Sequence, residues 1–262
     1  PSGASAATAT NTNNSLGWNT NSTGWDTVTG NAWSSVNGGT NIALFTNASG
    51  SIQVLNPITI GGLTYSPAGT FSIWSSQINL GAASTFNVAN AASALTVSNV
   101  IAGGFGLTKT GSGTLVLSAA NTYTGTTTIN GGTLAYGVNN AIADSASAGN
   151  VTVTNGATLN IGSFSDRVRS VTLGGGTITG TTGVITIGID NSYTALTVSS
   201  GTNNAISANI DLTTDYSRAF TSTAGTRLDI SGTITGGGTF FDFSGSGSTI
   251  LSGSNTFTSS LR

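Results

Sequence analysis

Two stretches of this chain follow one pattern. GSGTLVLSAANTYTG at 111–125 aligns with GSGSTILSGSNTFTS at 245–259, and the first copy sits inside a longer run, GGFGLTKTGSGTLVLSAANTYTGTTTINGGTLAYG, at 103–137. Each copy has a Gly-rich corner, a short apolar-alternating strand and an Asn-Thr-aromatic-Thr turn. A unit this short cannot bury its apolar face by itself. When it recurs, the economical solution is to stack it on neighbours of the same kind.

The rest of the chain supports stacking. Apolar residues alternate with Thr, Ser or Asn at Leu115/Leu117, Leu134/Tyr136, Val151/Val153, Leu159/Ile161, Val171/Leu173, Ile185/Ile187/Ile189, Leu196/Val198 and Leu228/Ile230. A period of two is the signature of a strand with one buried face. The strands read as four to six residues long, recurring roughly every eight to twelve, with turn residues between them. Asn139–Ala148 is the nearest approach to a helical stripe and reads as a loop or a single turn. A sandwich or barrel also fits short regular strands. Here the near-even intervals and the strand–corner–strand wording of GTTTINGGTL favour an all-β parallel β-helix, a β-solenoid. Its corners need left-handed backbone, which Gly and Asn adopt readily. At about twenty residues per coil and about 4.8 Å of rise, about ten coils would span roughly 50 Å. Leu115, Leu117, Leu134, Val153, Leu159, Ile161, Ile185 and Ile187 are expected to face inward.

Composition closes off several chemistries. Only 5% of the 262 residues are charged, and there is no Cys, Met, His or Glu. Thiolate nucleophiles, disulfides and Cys-based zinc sites are excluded, as is an imidazole base. The six basic residues Lys109, Arg167, Arg169, Arg218, Arg227 and Arg262 are too few and too scattered for a nucleic-acid surface. No apolar run approaches a membrane helix, so no membrane insertion is expected of this chain. At 37% hydrophobic, the chain has enough apolar residues for a core. The opening PSGASAATAT reads as a processed product.

The pattern divides the chain into an arm at 1–15, disordered or pairing with a subunit, a Trp-rich capping segment at 16–56 and a β-helix body at 57–262. Trp18, Trp25 and Trp33 lie in the middle segment, seven and eight residues apart. They read as a cover for an open coil end, with a platform for sugar rings as the alternative. The second repeat stops at Phe257, Leu261 and Arg262, which reads as an incomplete final coil. Trp18, Trp25, Trp33, Phe257 and Leu261 are therefore the expected self-association residues. The eight carboxylates are all Asp and dispersed. Asp211 and Asp215, with Arg218, are the nearest thing to a catalytic or calcium cluster, and a solvated loop is the plainer reading. Arg167 and Arg169 share a face opposite Asp166 and could meet an anionic glycan. Arg227 and Asp229 should form an exposed ion pair. None of the Gly runs has the context of a phosphate loop. No catalytic site, metal or cofactor is expected.

The 103–137 unit resembles the autotransporter-associated β-strand repeat of secreted or surface-displayed bacterial proteins. The Trp-Asp-x-x-Thr and Ala-x-Phe-Thr-Asn wording at 25–47 is similar to the segment that often precedes such repeats. The resemblance implies a passenger-type β-helix, exported to the bacterial surface or beyond. The membrane barrel that ends the classical members is not seen in this sequence. With the exclusions above, the expected role is a non-enzymatic structural protein that stacks head to tail on itself as a filament or matrix subunit. A glycan-binding adhesin is the alternative, and a carbohydrate-active enzyme a distant third.

Overall fold

A computed structural model describes residues 8–11, 42–45, 49–54, 56–143, 149–188, 194–212, 217–238 and 240–262. Trp18, Trp25 and Trp33 lie outside the described residues, as does Asp215. The fold is all-β, a parallel β-solenoid of about nine turns. Its strands form a thirteen-stranded, a ten-stranded and a four-stranded sheet. Among the described strands every ladder is parallel, as in Leu115 over Leu95 and under Leu134. Along each sheet the strands follow one another in chain order, so chain order becomes stacking order.

Coil length varies more than an even repeat of twenty. Neighbouring coils are 19 residues apart between Leu115 and Leu134, but 28 between Ile178 and Ile206. Most of the excess lies between the strands Val184–Ile187 and Thr194–Ser200, in a stretch that, apart from Gly188, is outside the described residues. Strand length varies too: Ile78–Val88 runs for 11 residues and Ile101–Ala102 for two. Ile42–Phe45 and Gly50–Val54, from the Trp-rich segment, already pair with Ile58–Tyr65 and Gly69–Ser75, and Thr8–Asn11 pairs with Ile42–Phe45.

All eight residues expected inside are buried with no exposed surface. Period two does this work: in Thr114–Leu117 the pattern puts Leu115 and Leu117 in the interior and Thr114 and Val116 outside. Burying one Leu side chain contributes roughly 1.5–3 kcal/mol, repeated along the stack. Rings are buried in the middle coils too, as at Phe86, Tyr123 and Tyr136, but the contacts of ring on ring lie towards the two ends. Phe45 and Tyr65 flank Phe71 at 5.0 and 5.7 Å. Phe241 lies 4.8 Å from Phe220, 4.5 Å from Phe243 and 5.2 Å from Phe257.

Much of the Thr content has one placement. Thr85, Thr108, Thr128, Thr152, Thr172, Thr197, Thr221 and Ser244 are stacked partners on the outer face of the thirteen-stranded sheet. β-Branched side chains suit an extended backbone, and the hydroxyls can face solvent without burying polar atoms.

Gly111 and Gly245 occupy the same place in the two repeats. Both are left-handed, with φ of 76° and 90°. A Cβ at either would collide with a carbonyl of the coil below, Val88 O or Ser222 O. The Gly-Ser-Gly corner is therefore demanded twice over, by backbone angle and by close approach.

Candidate functional site

The polar side chains of the repeat point at other coils. Asn121 is buried and takes the N–H of Ile101, one coil below, on its Oδ1 at 2.8 Å. Its Nδ2 donates to the carbonyl of Ala141, one coil above, at 2.6 Å. In the second copy Asn255 Oδ1 accepts from Ile234 N at 2.9 Å. The backbone repeats as well: Thr122 N and Thr124 N donate to Ile101 O and Gly103 O, as Thr256 N and Thr258 N donate to Ile234 O and Gly236 O. The aromatic residue two positions on turns inward. Tyr123 is fully buried with its hydroxyl 2.7 Å from Thr127 Oγ1, and Phe257 packs on Phe241. The Asn-Thr-aromatic-Thr signature is thus a staple between coils: a side-chain amide stitches the corner while the ring fills the interior below it.

Asp166 plays the acceptor part of that staple without belonging to a repeat copy. Its Oδ2 accepts from Ile142 N at 2.9 Å and its Oδ1 from Arg167 N at 2.8 Å. It lies opposite the exposed Arg167, as alternation requires, but it is buried, which nothing in the sequence indicated. Burial and the nearby Asp166 carboxylate push the Tyr136 phenol well above the usual tyrosine range, and burial pushes Tyr123 up as well.

Lys109 is the other missed residue. It faces the interior, is entirely buried, and donates through Nζ to the carbonyls of Thr110 at 2.8 Å, Gly111 at 2.9 Å and Gly131 at 3.1 Å. One ammonium thus closes its own corner and ties it to the next. Desolvation is the larger influence on its proton, and lowers its pKa to about 8. An unfolded lysine holds its proton to about pH 10.4, so the folded chain releases it first. The cost of the buried charge is full and constant below about pH 8 and is relieved as pH rises. Between pH of about 7.5 and 9.5 the wild type should gain about 2 kcal/mol relative to Lys109→Met, read as a rising difference between urea midpoints. Above about pH 10 ionisation of unfolded tyrosines works against folding, because the buried Tyr123 and Tyr136 keep their protons. Equal pH dependence in the two proteins would refute the assignment.

Of the residues singled out for catalysis, Asp211 and Arg218 lie in strands of different sheets, and Asp215 is outside the described residues. Asp211 closes the strand Asn209–Asp211 in the four-stranded sheet and is half-buried. Arg218, expected in a solvated loop, instead opens a strand of the thirteen-stranded sheet and is buried. Its guanidinium donates to the carbonyls of Gly188 and Ser217. Arg227 and Asp229 form the expected surface pair, 2.9 Å apart. Arg167 is exposed and Arg169 half-buried. Phe257 is half-buried, whereas Leu261 is 59% exposed in the short strand Ser260–Leu261. Trp74, on the outer face of Gly69–Ser75, is the exposed tryptophan among the described residues, and no pattern in the sequence marked it.

Comparison with known proteins follows the same residues. The model of the passenger-associated-transport-repeat matches 107–135 and 244–260, the segments that hold both Gly corners and both Asn staples. The adhesin BmaC autotransporter of Brucella suis biovar 1 (strain 1330) is 37% identical over 178 residues, which is 66% of this chain and 5% of that protein. The chain thus spans about one-twentieth of the curated relative it matches. No solved structure matches it significantly. Two repeats that match the passenger-type model, each stapling its coil to the one below in a parallel β-helix, and this homology to an autotransporter adhesin support an autotransporter passenger β-strand repeat family.

Proposed function

We propose that this chain is a section of a bacterial surface adhesin's passenger, a stiff non-enzymatic β-helical spacer held outside the cell. The observation that carries the reading is that Asn121, Asn255, Lys109 and Asp166 direct their polar atoms at neighbouring coils rather than at a shared cleft. Such chemistry builds length. The relative named above is an adhesin, which supports display at the surface. The expected result is that antibodies against the folded segment label intact cells, and that the purified chain releases no product from a panel of plant and bacterial polysaccharides. Labelling only after lysis would overturn display. Product release lost in an Asp211→Asn/Asp215→Asn double variant would overturn the non-enzymatic part.

A second reading is a filament subunit stacking head to tail on itself through Trp18, Trp25, Trp33, Phe257 and Leu261, and it draws on exposed apolar side chains. Ile250 is 43% exposed and Leu261 59%. Strand edges with apolar residues favour association. Sedimentation should show assemblies that Leu261→Asp converts to monomers. Monomers at every concentration in both proteins would exclude it.

A further inference from the structure

The ten-stranded sheet turns an uncharged face to solvent. One column of register partners on it runs through Thr70, Ala94, Thr114, Thr133, Thr158 and Thr177. From Gly50–Val54 to Asn204–Ile206 no strand of this sheet carries a charged residue, and the next, Arg227–Ile230, holds the Arg227–Asp229 pair. Trp74 stands out of this face, 43% exposed, which leaves on the order of 100 Å² of its surface uncovered. Its register partner one coil below is Gln53, half-buried. One coil above is the exposed Ser98, whose N–H donates to the carbonyl of Ile73 at 2.8 Å. The strand ends at the residue after Trp74. Alternation would send Ser75 inward over Val54, but the backbone turns left-handed there, with φ of 94°, and Ser75 is exposed. Among the described residues it is the one residue other than Gly and Asn with a positive φ. The turn is held from above, where the Asn99 side-chain amide donates to the carbonyl of Ser76.

We infer that Trp74 is the centre of a binding site for a neutral oligosaccharide, with a sugar ring stacked on the indole and its hydroxyls meeting Gln53 and Ser98. A pyranose has an apolar face of C–H groups and a rim of hydroxyls. The indole matches the face, and the amide below and the hydroxyl above match the rim. A sheet face without charge offers nothing to draw an anionic glycan or an acidic peptide. A tryptophan that anchors a protein partner sits inside a ring of contacts that exclude water, whereas the stacked neighbours here are polar. Ser75 adds an independent sign. A left-handed serine is strained where glycine would not be, and such strain collects at ligand-binding positions. Here it fixes the end of the strand and so the stance of the ring. The face lies on the side of the stack, with a coil below Trp74 and a coil above it. The inference does not rest on display at the cell surface, since it concerns only what this face binds.

The test uses the whole chain, with cellohexaose and mannohexaose as probes and polygalacturonate as the anionic comparison. The expected result is saturable binding of a neutral hexasaccharide by calorimetry, with the indole N–H signal of Trp74 shifting in NMR spectra. Trp74→Ala should bind at least tenfold more weakly and melt at the wild-type temperature, because the ring lies outside the core. Trp74→Tyr keeps a flat ring and should retain part of the affinity. Ser75→Gly should melt at a higher temperature, as the strain is released, and bind a fewfold more weakly. No saturation by either hexasaccharide at millimolar concentration, or equal binding by wild type and Trp74→Ala, would overturn the proposal. So would equal binding of polygalacturonate, or indole shifts at Trp18, Trp25 or Trp33 in place of Trp74, which would put the sugar platform in the Trp-rich segment.

Discussion

Replacing Leu117 with Asp should abolish folding. Leu117 has no exposed surface and is stacked between Val97 below and Tyr136 above. An Asp there would place an ionisable group among apolar side chains with no planned partner, a cost of several kcal/mol even after the group protonates. The net stability of a domain is about 5–15 kcal/mol, so this removes most or all of it. Leu117→Ala supplies the graded comparison, at roughly 2–5 kcal/mol for lost contacts and the cavity left behind. Circular dichroism and urea unfolding check both. The Asp variant should give no cooperative transition, and the Ala variant a transition at lower urea. A wild-type midpoint in the Asp variant would mean that Leu117 does not face the interior.

The second large effect is expected at the staple. Asn121→Leu keeps the size of the side chain but leaves the Ile101 N–H without its acceptor and the Ala141 carbonyl without its donor. Each buried orphan costs about 1–3 kcal/mol, so the variant should lose roughly 2–6 kcal/mol. Asn121→Asp keeps the acceptor and loses the donor, and should fall between. Asn255→Leu removes the same amide from the other copy, where the side chain is half-buried and water can replace part of the bond. Its loss should be clearly smaller. Equal midpoints for the Asn121 and Asn255 variants would show that the side chain acts through local turn preference alone, and not through the bonds between coils.

These two residues were unequally visible in the sequence. Leu117 was assigned inward from alternation alone, because period two on an extended backbone leaves no other place for it. Asn121 stood out as part of a recurring turn, which reads as corner chemistry. Its use as a bridge across three coils was invisible: the partners Ile101 and Ala141 are each 20 residues away. Stacked partners lie from 19 to 34 residues apart among the described strands, so no fixed offset would have found them.

Local pattern was enough to establish the all-β class, the inward apolar set and the ion pair of Arg227 with Asp229, because each depends on residues a few positions apart; the parallel stacking was read with the help of the repeat's resemblance to a known family. Lys109, Asp166 and Arg218 fall outside that reach. A charged residue in an alternating strand is assigned to solvent unless something inside the fold can satisfy it. Here the satisfying groups include the carbonyl of Gly131, the N–H of Ile142 and the carbonyl of Gly188, which lie 22, 24 and 30 residues away in sequence. Backbone polar groups carry no sequence signature, since every residue has them. Stacking alone brings those three within hydrogen-bonding distance, and it is the stack that turns three apparent surface charges into interior struts.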